Sequence, residues 1–398
     1  MADLSPRAKG LLLGSLYFSQ GLPFGFFTLA LPVVLRSEGL SLEIVGASNL
    51  LLLPWALKAL WAPLVDRFGT KRVWIVGLQV LTVVWFGGLA LVAPSRVTEG
   101  LAVAMGVASL LAATQDIATD GLATALLDPS ERGWGNGLQV AAYRLGMIVG
   151  GSAILLLYSQ GGWRMSFGVT SLALLVATLP ILVLGSALPG RIEPDPTPTG
   201  SWVSAIPPLL PWLGFLALAK AGDAAASTMI RPYFVDAGWS LDGLAGALGF
   251  GGSAFGLAGA VVGGALAGAL DRRRALVITT TIQAVTVGLL ALGLSIEADP
   301  WIPMGLVWLE DLGSGTATAA VFAAMMDRAR PGHESTDYTV QASWLVVMIG
   351  VAATLSGVSA ATFGYAGHLV VCTVLAVAAV IAARLVPTPD GTAGVAWT

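Results

Sequence analysis

Charged side chains are scarce in this sequence. Only 11% of its 398 residues are Asp, Glu, Lys or Arg, and 56% are hydrophobic, whereas an ordinary soluble chain has about 25% charged residues. The mean hydropathy is +0.82. So few charges exclude an ordinary soluble fold and predict an integral membrane protein. A net charge of −3 without a long basic run also argues against a nucleic-acid partner.

Cysteine and histidine are nearly absent as well. With Cys372 as the single cysteine, the chain cannot form an internal disulfide, and His333 and His368 stand apart without a cysteine cluster. These residues predict neither a zinc site nor a nucleophile–histidine pair. The Gly-x-x-x-x-Gly-Lys-Ser/Thr phosphate loop is also missing. We therefore expect no enzyme activity, no metal and no cofactor, with an ion gradient rather than ATP as the energy source.

Long apolar runs, by contrast, recur along the whole chain. A helix of about 20 apolar residues crosses the hydrocarbon layer of a bilayer. Twelve runs of suitable length predict an all-α membrane protein with twelve transmembrane helices. The first run lacks a small-residue cleavage site, so we interpret it as a retained helix. The predicted spans are 10–35, 43–64, 73–93, 99–127, 136–158, 165–187, 205–234, 242–269, 274–295, 301–327, 338–362 and 366–386.

Lys and Arg are divided unequally between the two sides of the predicted membrane. Thirteen fall on one side, in loops, termini or the ends of spans, four fall on the other side, and three lie well inside the spans. Because cytoplasmic loops are enriched in Lys and Arg, both termini are expected in the cytoplasm. The excess of Arg over Lys, together with abundant Ala and Gly, indicates a GC-rich bacterial genome and hence a multi-pass protein of the inner membrane.

The two halves of the sequence resemble each other. The stretch LPVVLRSEGLSLEIVGA at 31–47 returns as RPYFVDAGWSLDGLAGA at 231–247, and LVDRFGTKR at 64–72 is answered by ALDRRRAL at 269–276. A repeat of this length predicts two six-helix bundles in pseudo-symmetric arrangement. The predicted divisions are an N-terminal bundle at 1–188, a proline-rich cytoplasmic linker at 189–200 and a C-terminal bundle at 201–398.

Six plus six helices, with Asp-Arg-x-Gly-x-Lys-Arg after the second span, resemble the major facilitator superfamily over nearly the whole chain. Four motifs are similar to the AmpG branch of muropeptide permeases: SQGLPFGF at 19–26, LPWALKALWAPLVDR at 53–67, ATQDIATDG at 113–121 and AYRLGM at 142–147. The ALPVVLRSEGLSL stretch and the twelve-helix length look closer to RhtX/FptX siderophore-uptake relatives, and acetyl-CoA transporters share Gln-Asp-x-x-x-Asp. Lys58-Ala59-Leu60 departs from the Lys-Phe-Leu of the branch.

Ionisable residues inside the predicted spans indicate a polar cavity. Eight of them facing lipid, at about 3 kcal/mol each, would cost more than the ~5–15 kcal/mol by which folded proteins are stable. The resemblance implies that spans one, four, seven and ten, three of which carry acids, line a central cavity. The candidate substrate and proton-coupling residues are Gln20, Lys58, Gln115, Asp116, Asp120, Tyr143, Arg144, Lys220, Asp223, Glu310 and Asp311.

Two acids in the fourth span are the main candidates for proton coupling. Asp116 and Asp120 stand one helical turn apart, with Gln115 beside them. Repulsion between the carboxylates and their burial favour a proton on one of them, which could be released when the cavity opens to the other side. The alternative is a structural ion network in which Lys58 and Arg144 neutralise the pair permanently.

A second charged group falls in the seventh and tenth spans. Lys220 and Asp223 are three residues apart and could either cancel each other or face the cavity. If Lys220 and Arg144 both face the cavity, they favour an anionic solute. Glu310 and Asp311 are adjacent and about 100° apart around a helix, so only one of them can face the cavity squarely, and either remains possible.

The repeated Asp-Arg clusters after the second and eighth spans are candidates for a cytoplasmic gate. In the superfamily, this loop is thought to hold the two halves together through ion pairs and helix ends, which is what the resemblance implies here. Solvated loop charges are the alternative. The candidate gate residues are Asp66, Arg67, Lys71, Arg72, Asp271 and Arg272.

Together these features predict a secondary transporter that rocks its two halves around a midplane site. We expect it to import an organic anion or zwitterion with protons, a siderophore or an anhydromuropeptide being the candidate solutes. It is expected to act as a monomer in the lipid bilayer. The alternatives are a proton antiporter that exports drugs or metabolites, an acetyl-CoA-type transporter, and a receptor that binds without transport.

Overall fold

A computed structural model of the protein describes residues 4–39, 48–92, 99–188, 206–239, 241–295 and 301–386. Over these residues the backbone forms helices and short connections, without a β-strand. The all-α prediction is therefore confirmed. The predicted linker at 189–200 lies outside the described residues.

The helices follow the predicted spans within a few residues at most ends. In the first half of the chain they are α1 (Pro6–Ser37), α2 (Leu50–Leu60), α3 (Ala62–Arg67), α4 (Lys71–Leu91), α5 (Glu99–Leu126), α6 (Arg132–Ile148) and α7 (Ile154–Leu184). In the second half they are α8 (Ile206–Asp236), α9 (Ser253–Ala269), α10 (Arg272–Leu294), α11 (Trp301–Met326) and α12 (Glu334–Leu385).

Seven helical segments of the described chain are long and apolar enough to cross a membrane. Two of them, Arg132–Ala187 and Glu334–Leu385, contain 56 and 52 residues, more than twice the about 20 that one crossing needs. Each is divided by a glycine with a positive φ, Gly162 at 60° and Gly364 at 69°, a conformation that other residues rarely adopt. Each therefore provides two spans. The seven segments thus give nine spans. Three more come from α2 and α3 taken together, from α9 and from α11, so the described residues account for twelve.

Side-chain caps define where two helices begin beside the predicted gate loops. The Thr70 hydroxyl accepts a hydrogen bond from the backbone nitrogen of Val73 at 3.3 Å, at the start of α4. The Asp271 carboxylate accepts one from the backbone nitrogen of Arg274 at 3.0 Å, at the start of α10. Both satisfy N–H groups that the first turn of a helix leaves unpaired. The repeated loop thus ends in the same way in both halves of the sequence.

The chain folds into two compact units. The first comprises Met1–Leu126, Ala141–Pro194 and Pro331–Val340, and the second comprises Leu127–Val140, Asp195–Arg330 and Gln341–Thr398. Compared with the predicted halves, 127–140 and 331–340 each belong to the other unit. Packing is the reason: Gly133 meets the backbone of Gly264 in the second unit, and Ser335 meets Gly121 in the first.

An aromatic core fills part of the first unit. Phe26, Phe86 and Phe167 are buried and pack edge to face, with ring centroids 5.9–6.5 Å apart. Phe26 begins a π-helical stretch of α1, Phe26–Ala30, which packs against a second π-helical stretch, Val149–Ala153. Such π segments are common near functional sites because they shift the helical register.

Glycines bring α9 and α11 into backbone contact in the second unit. A Cβ atom at Gly259 or Gly263 would lie 2.1 Å from the carbonyl oxygen of Leu312 or Thr316, respectively. Only glycine allows helices to approach this closely. This packing fixes the height and rotation of α11, the helix that carries Glu310.

Candidate functional site

A buried triad of one lysine and two carboxylates forms in the first unit. Lys58 leaves the end of α2, and Asp116 and Asp120 project one turn apart from α5; their exposed fractions are 2%, 9% and 3%. The Lys58 ammonium pairs directly with Asp116 and lies 3.7 Å from Asp120 Oδ2. Tyr17 of α1 donates its hydroxyl proton to Asp120 Oδ1 at 3.1 Å. The predicted juxtaposition of the two aspartates thus holds, with one cation shared between them.

Arg144, the other cation considered as a partner of this pair, is placed differently. Its side chain on α6 is half-buried, and within the described residues it makes no ion pair with either Asp116 or Asp120. Close packing sets the position of this part of α6, since a Cβ at Gly21 of α1 would lie 2.1 Å from the carbonyl oxygen of Tyr143. The ring of Tyr143 lies 5.7 Å from that of Phe24.

The two glutamines predicted to line the cavity have different surroundings. Gln115 donates its amide to Ser19 Oγ at 3.1 Å, and Gln79 of α4 donates to the same oxygen at 3.1 Å. Gln115 is therefore engaged in packing α5 against α1. Gln20 is 4% exposed, and neither its amide nitrogen nor its amide oxygen has a hydrogen-bond partner. Because unsatisfied buried amides are costly, Gln20 is the better candidate for contacting a solute.

The second unit contains a similar buried triad. Lys220 and Asp223 form an ion pair along α8, and Glu310 of α11 lies within hydrogen-bond reach of Asp223. Lys220 also donates to Ser314 Oγ at 3.3 Å and to Thr318 Oγ1 at 3.1 Å. All three charged residues are at most 8% exposed. Of the two alternatives for Lys220 and Asp223, the ion pair corresponds to the one in which they neutralise each other. Glu310 is the third residue of the triad.

The structure distinguishes Glu310 from its neighbour Asp311. Glu310 is 1% exposed and faces Asp223 on α8. Asp311 is half-buried, and its side chain points toward Gly252 instead: a Cβ at Gly252 would lie 2.4 Å from Asp311 Oδ2. This divergence is the expected consequence of adjacent positions on a helix.

Two of the predicted gate residues form a buried network in the first unit. The Asp66 carboxylate accepts hydrogen bonds from the backbone nitrogens of Ser335 and Thr336 at 3.2 and 2.8 Å, and from the Thr336 hydroxyl at 2.6 Å. Lys71 pairs with Glu334 at 2.9 Å and lies 3.6 Å from Asp66. The Asp66 carboxylate thus faces the first turn of α12, where it satisfies free N–H groups and interacts favourably with the helix dipole.

The other predicted gate residues lie outside that network. Arg67 and Arg72 are exposed. Asp271 caps α10 and pairs with Arg274 at 3.0 Å, both side chains being more than half exposed. Arg272 pairs with Asp327 at the end of α11 in the second unit.

Several partners were missed by reasoning from the sequence. Ser314 and Thr318 follow Glu310 at intervals of four, so all three share one face of α11, and that spacing was a readable signal. Asp327 binds both Arg272 and Arg132, the latter at 2.9 Å. Nothing in the local sequence connects these three, since Arg132 and Asp327 are nearly two hundred positions apart. No group of His, Cys, Asp and Glu suited to a metal ion occurs among the described residues.

The membrane-spanning segments of the described residues, with charged clusters buried inside them, are typical of a multi-pass membrane transporter. Residues 13–344 match the family model of the Major Facilitator Superfamily, and the chain belongs to that family. Its cargo is accordingly a small solute, and its surroundings are a lipid bilayer.

Two bacterial relatives illustrate the sequence similarity. The anhydromuropeptide permease of Escherichia coli K12 is 28% identical over 354 residues, which cover 84% of this chain and 70% of the permease. A Haemophilus influenzae protein is 28% identical over 382 residues, 90% of each chain. The predicted resemblance to the superfamily and to muropeptide permeases is confirmed.

Solved structures show the same fold. A bacterial homologue of the iron transporter ferroportin in an outward-facing state has a TM-score of 0.72 at 16% identity, covering 94% of this chain and 98% of that chain. FucP, a Major Facilitator Superfamily transporter in the outward conformation, has a TM-score of 0.71 at 14% identity, with the same two coverages. At these identities the similarity concerns the fold alone.

Proposed function

We propose that this transporter imports an organic anion or zwitterion together with protons across a bacterial inner membrane. It works as a monomer, with both termini in the cytoplasm, and alternates between outward and inward openings of its two halves. An anhydromuropeptide is the first candidate solute, because the Escherichia coli relative carries that name. A siderophore is the second, because of the motif ALPVVLRSEGLSL.

The observation that carries the proposal is the buried triad of Lys58, Asp116 and Asp120. One ammonium against two carboxylates leaves one negative charge in excess within the triad. An excess charge away from water is costly, and a proton on one carboxylate removes it. Binding that proton from one side of the membrane and releasing it to the other makes the triad a coupling site.

The preference for an anionic group follows from Arg144. The guanidinium is half-buried within a membrane-spanning helix, where an unpaired cation is costly unless it reaches water or an anion. Its planar fork suits a carboxylate or a phosphate. Gln20, with both amide atoms unpartnered, offers a neutral contact to hydroxyl or amide groups of the same solute.

Asp66, Lys71 and Glu334 are proposed as the cytoplasmic gate. Glu334 begins α12, which comes from the second half of the sequence, so these bonds join segments that are distant in sequence. Breaking them would release the first turn of α12 and favour opening to the cytoplasm. We expect Asp66→Asn to slow uptake by about tenfold or more, with the protein still folded by gel filtration in detergent.

The proposal is tested with proteoliposomes that contain a trapped pH dye. They are exposed in turn to an anhydromuropeptide, a ferric siderophore, acetyl-CoA and a lipophilic cation. Internal acidification on adding one of the anions is expected, with loss of the signal in Asp116→Asn and Asp120→Asn. Asp128→Asn, an exposed carboxylate just beyond the end of α5, is the matched control and should behave as the parent.

Two outcomes would contradict the proposal. Unchanged acidification in both Asp116→Asn and Asp120→Asn would remove the triad as the proton site. A dye response to the lipophilic cation alone would identify the chain as a proton antiporter that exports drugs.

A further inference from the structure

The second unit contains a carboxyl pair that the proposed function leaves unused. Asp223 on α8 and Glu310 on α11 are 7% and 1% exposed. Their carboxyl groups lie within hydrogen-bond reach of each other. The pair is therefore enclosed and faces inward from two different helices.

Simple hydrogen-bond chemistry favours a proton in this pair. An ionised carboxylate only accepts hydrogen bonds, and a carboxyl group donates one only when it is protonated. Two ionised carboxylates in this position would repel each other without water to separate them. Two enclosed carboxyl groups within hydrogen-bond reach of each other are therefore stabilised when one of the two carries a proton.

Lys220 does not take the place of that proton. Its ammonium group has three N–H donors, and they are matched by three acceptors: the Asp223 carboxylate, Ser314 Oγ at 3.3 Å and Thr318 Oγ1 at 3.1 Å. None is left for Glu310. The Oε1 atom of Glu310 is buried without any partner, which is tolerable for a neutral carboxyl group and much less so for an ion.

The other titratable groups around the pair do not supply a counter-charge either. Asp311 on α11 adds a further negative charge. On α12, His368 places Nε2 3.1 Å from the carbonyl oxygen of Ala225, and Cys372 Sγ lies 3.5 Å from the same nitrogen. The sequence of α9 contains no charged residue, and that of α10 contains only the three arginines at its start.

We propose that Asp223 and Glu310 share one exchangeable proton and form a second proton-coupling site, separate from the Lys58 triad. The pair takes its proton from water on one side of the membrane and returns it to water on the other, so that only an O–H bond forms and breaks. The coupling step rests on the proposed function, whereas the presence of the exchangeable proton does not. Transport through both sites would move two protons with each solute.

The proton itself is tested by infrared difference spectroscopy on the purified full chain in lipid. Spectra between about pH 6 and about pH 9, a range in which ordinary carboxyl groups stay ionised, report the carbonyl band of a buried protonated acid. The Asp116→Asn/Asp120→Asn background removes any contribution from the first unit. We expect a titrating band in that background, its loss in Glu310→Gln, and its retention in Asp311→Asn.

A band that persists in Glu310→Gln, or one that disappears in Asp311→Asn, overturns the proposal, as does the lack of any titrating band in the background. If Glu310→Gln does not fold, Glu310→Asp serves as the second variant. It keeps a carboxyl group at a different distance from Asp223, so the band must shift; an unshifted band overturns the assignment.

Coupling is measured as the limiting accumulation of a radiolabelled anhydromuropeptide at a pH difference of one unit, with the membrane voltage clamped at zero. Each coupled proton contributes about a factor of ten to that ratio. Glu310→Gln should lower the ratio about tenfold while solute exchange at equal pH continues; an unchanged ratio overturns the second site. If the parent protein accumulates no probe, the proposed import function fails, and the infrared result still decides whether the pair holds a proton.

Discussion

The two units solve the same electrostatic problem in different ways. Each buries one lysine and two carboxyl groups between membrane-spanning helices. In the first unit, Lys58 contacts both Asp116 and Asp120, so the carboxylates share a cation. In the second unit, Lys220 contacts only Asp223, and its remaining donors go to two hydroxyl groups. The Glu310 carboxyl group is left to its neighbouring carboxylate.

The comparison teaches that charge composition alone does not define a proton site. Both triads contain one lysine and two carboxyl groups, and the difference lies in how many acceptors compete for the ammonium group. In the second unit, two hydroxyl groups accept the remaining N–H donors of Lys220. The Glu310 carboxyl group must then be neutralised in another way, and a proton is the smallest available cation. Breaking each triad at its lysine should therefore have unequal effects.

The largest effect is expected for Lys58→Met. Removal of the ammonium group takes away the cation that Asp116 pairs with and that Asp120 lies beside, and breaking a buried ion pair typically costs about 3–5 kcal/mol. The free energy of unfolding, measured by denaturing-detergent titration in mixed micelles, should fall by that amount. The loss should shrink as the pH falls, because protonation of the aspartates removes the uncompensated charge, and Lys58→Met/Asp116→Asn should recover part of it. A loss below about 1 kcal/mol at neutral pH would show that the first triad is not held by its cation.

A smaller effect is expected for Lys220→Met. Asp223 keeps Glu310 within hydrogen-bond reach, and the carboxyl pair can bind another proton when the lysine is removed. We expect a loss of about 2 kcal/mol in the same titration. If Lys220→Met proves as costly as Lys58→Met, the two triads are electrostatically equivalent and the distinction between them fails.

The hydroxyl acceptors of Lys220 should each contribute about 1 kcal/mol. Ser314→Ala and Thr318→Val each free one N–H donor of the ammonium group, which can then turn toward Glu310. Besides the small loss in the unfolding titration, both variants should weaken the titrating infrared band assigned to the carboxyl pair. A band of full intensity in both variants would mean that the hydroxyl groups do not control where the proton resides.

The smallest effect is expected for Tyr17→Phe. The Tyr17 hydroxyl donates to Asp120 at 3.1 Å, but Lys58 remains to stabilise the carboxylate. The unfolding free energy should fall by about 0.5 kcal/mol, less than for any of the variants above. A decrease as large as that of the lysine variant would indicate that the hydroxyl group, rather than the ammonium group, is the main partner of the aspartates.

Most of the fold could be predicted from the sequence, because membrane insertion leaves a strong signal in composition. The predicted spans match the described helices even where one continuous helix contains two crossings, as at Gly162 and Gly364. The grouping of 127–140 and 331–340 could not be predicted. It depends on helix ends meeting partners more than a hundred residues away, such as Asp66 and Thr336, and no local pattern encodes such a meeting.

The candidate site divides in the same manner. The sequence by itself determined that charges would be buried inside the membrane, that Asp116 and Asp120 would share a helix face, and that Glu310 and Asp311 would diverge, since helical geometry fixes these relations. Only the tertiary structure decided that Lys58 rather than Arg144 contacts the aspartates, and that Glu310 rather than Asp311 faces Asp223. It also decided that Lys220 donates hydrogen bonds to Ser314 and Thr318. Each of these outcomes depends on the distance and rotation between neighbouring helices, which close packing at positions such as Gly21 and Gly259 sets.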